Sequence, residues 1–221
     1  MVYYKDSYGI NHRSAIAEKI KELANIVREE NYDEILLPHP RKKYSHADDH
    51  TRCSLEPENA QKVTEKRICR CWNYYNKFCH MIKCGVCEFE FKRTNVGDIQ
   101  ILDYEVPTEF AMEKLGGIDW ILDDVGQALA AEVKPPESTE TIVRMIAEIL
   151  TYTVGTSYTP AICFFKTTRE GHLSKQCEDY LDYKDNVDFQ FIKNKTGLRI
   201  LYITFDDSNF SIHDAEKEPI E

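Results

Sequence analysis

The sequence lacks several features that would assign a function directly. None of its nine glycines falls in a phosphate-cradling loop of the G-x-x-x-x-G-K-S/T kind or in a G-x-S-x-G nucleophile elbow, so the chemistry of those two motifs has no support. No stretch approaches the roughly 18 to 20 uninterrupted apolar residues that span a bilayer. Met1 to Asp6 has no apolar core of a signal peptide, and a cytoplasmic protein with no membrane partner is the expectation. No internal repeat is present. A generally basic surface is also missing, because the formal net charge is −10, which argues against a protein that coats nucleic acid along its whole surface.

What is present is a chain built to fold. Its 221 residues are 42% hydrophobic, with ten Phe and thirteen Tyr, enough for one domain with a substantial core. Between Lys62 and Arg93 eight basic side chains face three acidic ones, so positive charge is concentrated locally while the remainder is more acidic. The organisation expected is a single domain over residues 1–221, a Cys-rich, basic and aromatic module inserted at 46–93, and a frayed acidic tail at 206–221.

Periodicity predicts a mixed α/β architecture. Ile16, Ile20, Leu23 and Val27 recur at helical spacing between Ser14 and Glu30. Cys87 to Arg93 and Asp98 to Val106 read as strands, with a short helix or loop around Phe110 to Lys114. Ile118 to Asp123 and Gln127 to Lys134 form a predicted hairpin around Asp124-Val125-Gly126. Pro135-Pro136 stops the second strand, and Ser138 is the expected N-cap of a helix carrying Ile142, Met145, Ile146 and Ile149. Thr159 to Lys166 and Leu198 to Phe205 read as further strands, with Leu173 to Tyr183 helical between them.

The hairpin carries the chemistry. Side chains alternate across a strand, so Ala128, Ala130, Glu132 and Lys134 share one face. An even-length loop, closed by Asp123 facing Gly126 or Leu122 facing Gln127, places Asp119 opposite Ala130. Asp119 and Glu132 are then diagonal neighbours, roughly 7 to 8 Å apart at the backbone, whose carboxylates converge on one cation. Hard oxygen ligands suit Mg²⁺ or Mn²⁺, which stabilises charge on a phosphate and acidifies a bound water. Lys134 beside them can orient that water or stabilise the transition state. An exposed salt pair between Glu132 and Lys134 on an edge strand is the structural alternative.

Gly117-Ile118-Asp119-Trp120, a turn, and Ala131-Glu132-Val133-Lys134 together resemble the Asp…Glu-x-Lys signature of the PD-(D/E)xK, or restriction-endonuclease-like, nuclease superfamily. The resemblance covers roughly Asp98 to Lys166, with Ile118 where that signature has proline. It implies a central mixed sheet flanked by helices and Mg-dependent hydrolysis of DNA phosphodiester bonds, in an endonuclease of restriction, repair or phage-defence type. It further implies that Asp119 and Glu132 hold the metal, that the Val133 carbonyl adds a ligand, and that Lys134 assists catalysis. Glu148 and Tyr152 on the following helix occupy positions that often face the active centre in this superfamily, although Glu148 also suits an ion pair with Arg144. Glu18 on the first helix projects away from its apolar stripe. Cutting both strands calls for a homodimer or a partner subunit, and the residues do not separate DNA from RNA.

The inserted segment suggests a second, structural metal. Cys84-Gly85-Val86-Cys87 has the two-residue spacing that seats Zn²⁺, with Cys69 and Cys71, or Cys79 and His80, as its partners. Buried reduced thiols are the alternative. His46, His50 and Cys53 make a weaker cluster in a charged loop. Arg67, Arg70, Trp72, Tyr74, Tyr75 and Lys77 interleave basic and aromatic groups suited to gripping phosphate and stacking on bases, and equally suited to a solvated helix with a half-buried aromatic face. From this segment comes the competing functional reading, a non-catalytic nucleic-acid- or protein-binding adaptor with a zinc-stabilised module.

Overall fold

A computed structural model describes residues 13–29, 65, 68, 69, 71–73, 93–107 and 117–220. Among them a seven-stranded mixed sheet runs in the order β1-β7-β6-β5-β4-β3-β2. Its strands are β1 (Thr94–Asn95), β2 (Ile99–Pro107), β3 (Gly117–Asp124), β4 (Gln127–Lys134), β5 (Thr159–Phe165), β6 (Arg199–Phe205) and β7 (Asn209–Asp214). The described helices are α1 (Arg13–Glu29), α2 (Ile142–Thr153), α3 (Lys175–Tyr183) and α4 (Val187–Thr196), and residues 65, 68, 69 and 71–73 are helical as well. The expected strand from Cys87 and the Phe110 to Lys114 segment lie outside the described residues, Arg93 excepted.

β2, β3 and β4 form an antiparallel meander, α2 then crosses to β5, and β5 lies parallel to β4 and to β6. Each face of the sheet has its own core. On one, Ile16, Ile20, Leu23 and Val27 of α1 pack with Ile142, Met145, Ile146 and Ile149 of α2 over Ala130 and Ile162. On the other, Ile68, Cys69, Cys71 and Trp72 pack over Trp120, Leu129, Ala131, Val133 and Phe165. Alternation within β4 thus sends Ala130 to the first core and Leu129, Ala131 and Val133 to the second, as a period of two requires.

The hairpin closes one residue later than its sequence suggested. The ladder runs from Trp120↔Ala131 to Asp124↔Gln127, leaving Val125-Gly126 as a two-residue turn. Both turn residues have positive φ, 51° and 89°, the pattern of the tight turn that matches strand twist. Gly126 takes its second position without a steric penalty, and its N–H donates to Asp123 Oδ1 at 3.0 Å. Continuing this register aligns Asp119 with Glu132 rather than with Ala130. The shift is by two residues, so side-chain parity is unchanged.

Two further expectations are corrected, and one helix is added. The N-cap of α2 is Thr141, whose hydroxyl accepts from Arg144 N, whereas Ser138 Oγ accepts from Glu140 N in the preceding loop. Residues 187–196, for which no element was expected, form α4, with Asn186 capping its start and Gly197 at φ 68° ending it. The acidic tail carries strand β7, which buries Phe210 and Ile212, and Arg199 reaches the buried carboxylates of Asp124 and Asp214. No described helix is long and apolar enough to cross a membrane.

Candidate metal centre

Strand β4 delivers Glu132 and Lys134 to one end of the meander. Both are almost wholly buried, at 3% and 4% exposure, which sets aside the surface salt pair. Beyond Trp120 the ladder gives way, and Asp119 meets β4 through its side chain: Oδ2 accepts from Val133 N at 2.8 Å. An extended residue directs its N–H and C=O to the same edge of the strand, so the Val133 carbonyl is turned toward Asp119 too.

Around Lys134 the carboxylates crowd. Its Nζ lies 2.6 Å from Glu132 Oε1 and 2.6 Å from Glu65 Oε2. Glu140 Oε2 and Glu148 Oε2 each stand at 3.5 Å. Arg144 on α2 bridges the same two glutamates at 3.2 Å. Ligand oxygens of Glu65, Asp119 and Glu132 all lie within 4.8 Å of one another. Five carboxylates therefore gather about two cations, and the excess negative charge sits where solvent screens it poorly.

The titration behaviour follows from that imbalance. Burial, the Glu65 charge and the other carboxylates push Asp119 well above the usual range, against the attraction of Lys134 and the Val133 N–H. Burial likewise raises Glu132, helped by Asp119 and Glu148, and it raises Glu65. Desolvation alone would lower Lys134, yet the charges of Glu132, Glu65, Asp119 and Glu148 outweigh it and drive its pKa upward. These carboxylates favour the charged ammonium of Lys134, a form suited to stabilise negative charge. Tyr152 is held neutral by burial and by the neighbouring Glu132 and Glu148.

A divalent cation fits this donor set. It would neutralise an excess that the site's own residues leave uncompensated, and the buried Glu148 Oε2 accepts no hydrogen bond that such an ion would have to break. The sequence motif does not point to Glu65 or Glu140; Glu148 stands at a helix position expected to face the centre, and its ion pair with Arg144 is formed as well. Glu148 has a legible signal, a charged residue in the middle of an apolar helix face four residues after Arg144. Glu65 has none in the hairpin, because it arrives from another segment of the chain.

The residues read as a nucleic-acid surface and a zinc site fare differently. Trp72 is buried at 2% exposure, stacked on Phe210 with centroids 4.1 Å apart and on Trp120 at 6.2 Å, so it is a core residue and no platform for bases. Arg67, Arg70 and Lys77 lie outside the described residues. So do Cys79, His80, Cys84 and Cys87, and with them His46, His50 and Cys53. Cys69 and Cys71 are buried in the second core, and burial raises the Cys69 thiol well above its ordinary value. Glu18 is exposed on α1.

No protein-family model, curated protein or solved structure matches this chain.

Proposed function

We propose that the chain is a divalent-metal-dependent nuclease that hydrolyses DNA phosphodiester bonds, with an active centre of the PD-(D/E)xK kind. One observation carries the reading: Asp119 and Glu132, from adjacent strands, place carboxylate oxygens within 4.8 Å of each other while Lys134, two residues beyond Glu132, lies in the same buried cluster. The order of elements supports it. A helix, an antiparallel three-strand meander, a second helix and a strand parallel to the third form a continuous frame around the motif, as a restriction-endonuclease-like core requires.

In this reading Asp119 and Glu132 hold Mg²⁺ or Mn²⁺, with the Val133 carbonyl as a further ligand. The ion supplies charge neutralisation at the scissile phosphate and an acidified water. Lys134 contributes a fixed ammonium that orients that water or binds a phosphate oxygen as negative charge develops. Arg144 holds Glu140 and Glu148 in place around Lys134. Cutting both strands of a duplex would engage a second copy of the chain or a partner subunit.

The test is cleavage of supercoiled plasmid and of labelled linear DNA with Mg²⁺ or Mn²⁺, against a chelator control. Wild type should cut. Glu132→Ala and Lys134→Ala, verified as folded by circular dichroism, should lose at least about 100-fold in rate, the size of effect expected for removing a preorganised electrostatic group. Undiminished cutting by both variants would sink the assignment.

A further inference from the structure

We propose that Thr204, His213 and Glu218 form a second active centre, in which the Thr204 hydroxyl takes the acyl group of a carboxylic ester. The inference is independent of the reading of Asp119 and Glu132 as cation ligands.

The three side chains make one line of hydrogen bonds. Thr204 Oγ1 lies 2.8 Å from His213 Nε2, and His213 Nδ1 lies 2.7 Å from Glu218 Oε2. A carboxylate can only accept, so in the neutral imidazole the proton sits on Nδ1 and Nε2 turns its lone pair to the Thr204 hydroxyl. That is the order nucleophilic catalysis needs: a hydroxyl, a base within reach of its proton, and a third group that orients the base. The Tyr202 ring is stacked on the imidazole, with centroids 4.9 Å apart and 19° between the planes, and fixes the plane in which both contacts are made.

Strand register brings these groups together. Tyr202 pairs with His213, and Thr204 with Ser211, across antiparallel β6 and β7. Residues two apart on a strand share a face, so all four stand on the side of the first core, to which Tyr202 belongs. Glu218 lies beyond β7 and returns because the chain turns about Asp214, whose carbonyl accepts from the N–H groups of Lys217 and Glu218. Asp214 is itself buried and held by Arg199. Lys166 extends β5 by one residue, its N–H donating to the Ile203 carbonyl at 2.9 Å, which aligns it with Thr204 on the side away from Ser211. Its charge is felt by Cys177 of the first core, so its ammonium stands on the same face. Thr204, Ser211 and His213 are half-buried and Glu218 is exposed, which leaves the hydroxyl open to a small ester.

The site is separate from the metal centre. Lys134 pairs with Phe164, Phe164 with Tyr202 and Tyr202 with His213, so three strand spacings, about 14 Å at the backbone, part Lys134 from His213. Tyr180 of α3 packs on Phe164 between them, with ring centroids 6.0 Å apart.

In the reaction Thr204 Oγ1 attacks the acyl carbon while its proton passes to His213 Nε2. The ester C–O bond breaks, the alcohol leaves with that proton, and the acyl group stays on Thr204. The Lys166 ammonium offsets the negative charge that develops on the carbonyl oxygen. Water then gives a proton to Nε2 and its oxygen displaces Oγ1 from the acyl carbon. The proton returns to Oγ1, and a carboxylic acid is released.

The experiment is reaction of the full chain with p-nitrophenyl acetate in chelator, so that the metal centre takes no part. Release of p-nitrophenolate is followed by absorbance, and the acetylated residue is located by peptide mass spectrometry after acid quenching. Wild type should carry an acetyl group on Thr204, and Thr204→Ser, which keeps a hydroxyl, should carry one at the same position. His213→Gln should slow this acetylation at least about 100-fold, the lower end of what a general base contributes. Glu218→Ala should slow it by a smaller factor. Acetyl groups on lysines alone in wild type, or an undiminished rate at Thr204 in His213→Gln, overturns the active centre. An undiminished rate in Glu218→Ala overturns the orienting role of Glu218.

Discussion

Glu132 shows at the level of one residue how function and stability oppose each other in this chain. It is buried, its pKa is raised by burial and by Asp119 and Glu148, and Lys134 offsets only part of that cost. A carboxylic acid whose folded-state pKa lies above its unfolded value weakens the fold at pH above the raised value. The loss is recovered as pH falls from there toward the ordinary carboxylate range. Glu132→Gln removes the charge and keeps the shape. In chelator at neutral pH it should melt a few degrees above wild type, the shift that about 1 kcal/mol produces in a chain of this size. Its stability should also respond less to mild acidification, and thermal melts at several pH values check both points. A variant that melts lower than wild type at neutral pH would show that the Lys134 contact outweighs the crowding. Sequence periodicity gave the parity of Glu132 and Lys134 correctly, since alternation along a strand is local. Their burial was beyond it, because the helices that cover them come from elsewhere in the chain.

At the scale of elements, the turn at Val125-Gly126 decides where the site forms. The register of the whole hairpin depends on which two residues take positive φ. The loops expected at Asp124-Val125 or Asp123 to Gly126 put Asp119 opposite Ala130, and the observed turn at Val125-Gly126 aligns it with Glu132 instead. Val125 carries a cost there, being β-branched, 84% exposed and at φ 51°. Val125→Asn, which adopts that conformation readily, should stabilise the protein by about 1 kcal/mol without changing cleavage, as denaturant unfolding and a plasmid assay would show. Unchanged or reduced stability would mean that the turn is not strained. The elements hidden in the sequence share one cause, acidic and polar residues that mask the underlying pattern. β7 reads Asn-Phe-Ser-Ile-His-Asp, an alternation concealed among acidic residues, and α4 is framed by Asn186 and Gly197, cap signals at either end of a mostly polar helix. Trp72 was misplaced for the converse reason, since an aromatic among basic residues suits either a core or a nucleic-acid surface until its partners Trp120 and Phe210 are known.

For the molecule as a whole, the sheet joins two cores, and the candidate metal centre draws on the segments that build both. Helix α2 brings Glu148 from the first core, while the residues seated on the second bring Glu65. The net charge of −10 adds a requirement, because a strongly acidic chain must concentrate positive charge where it meets a phosphate backbone. A divalent cation at the one densely acidic buried cluster among the described residues would supply part of it. The mixed α/β class and the meander were legible from local patterns, whereas the convergence of five carboxylates is a tertiary fact that no window of sequence contains. The most direct measurement of the central claim is anomalous diffraction at the manganese edge from crystals grown with Mn²⁺. The account predicts a peak bridging Asp119 and Glu132, with carboxylate oxygens at about 2.1 Å. A peak that touches neither residue, or no peak at saturating Mn²⁺, would contradict it.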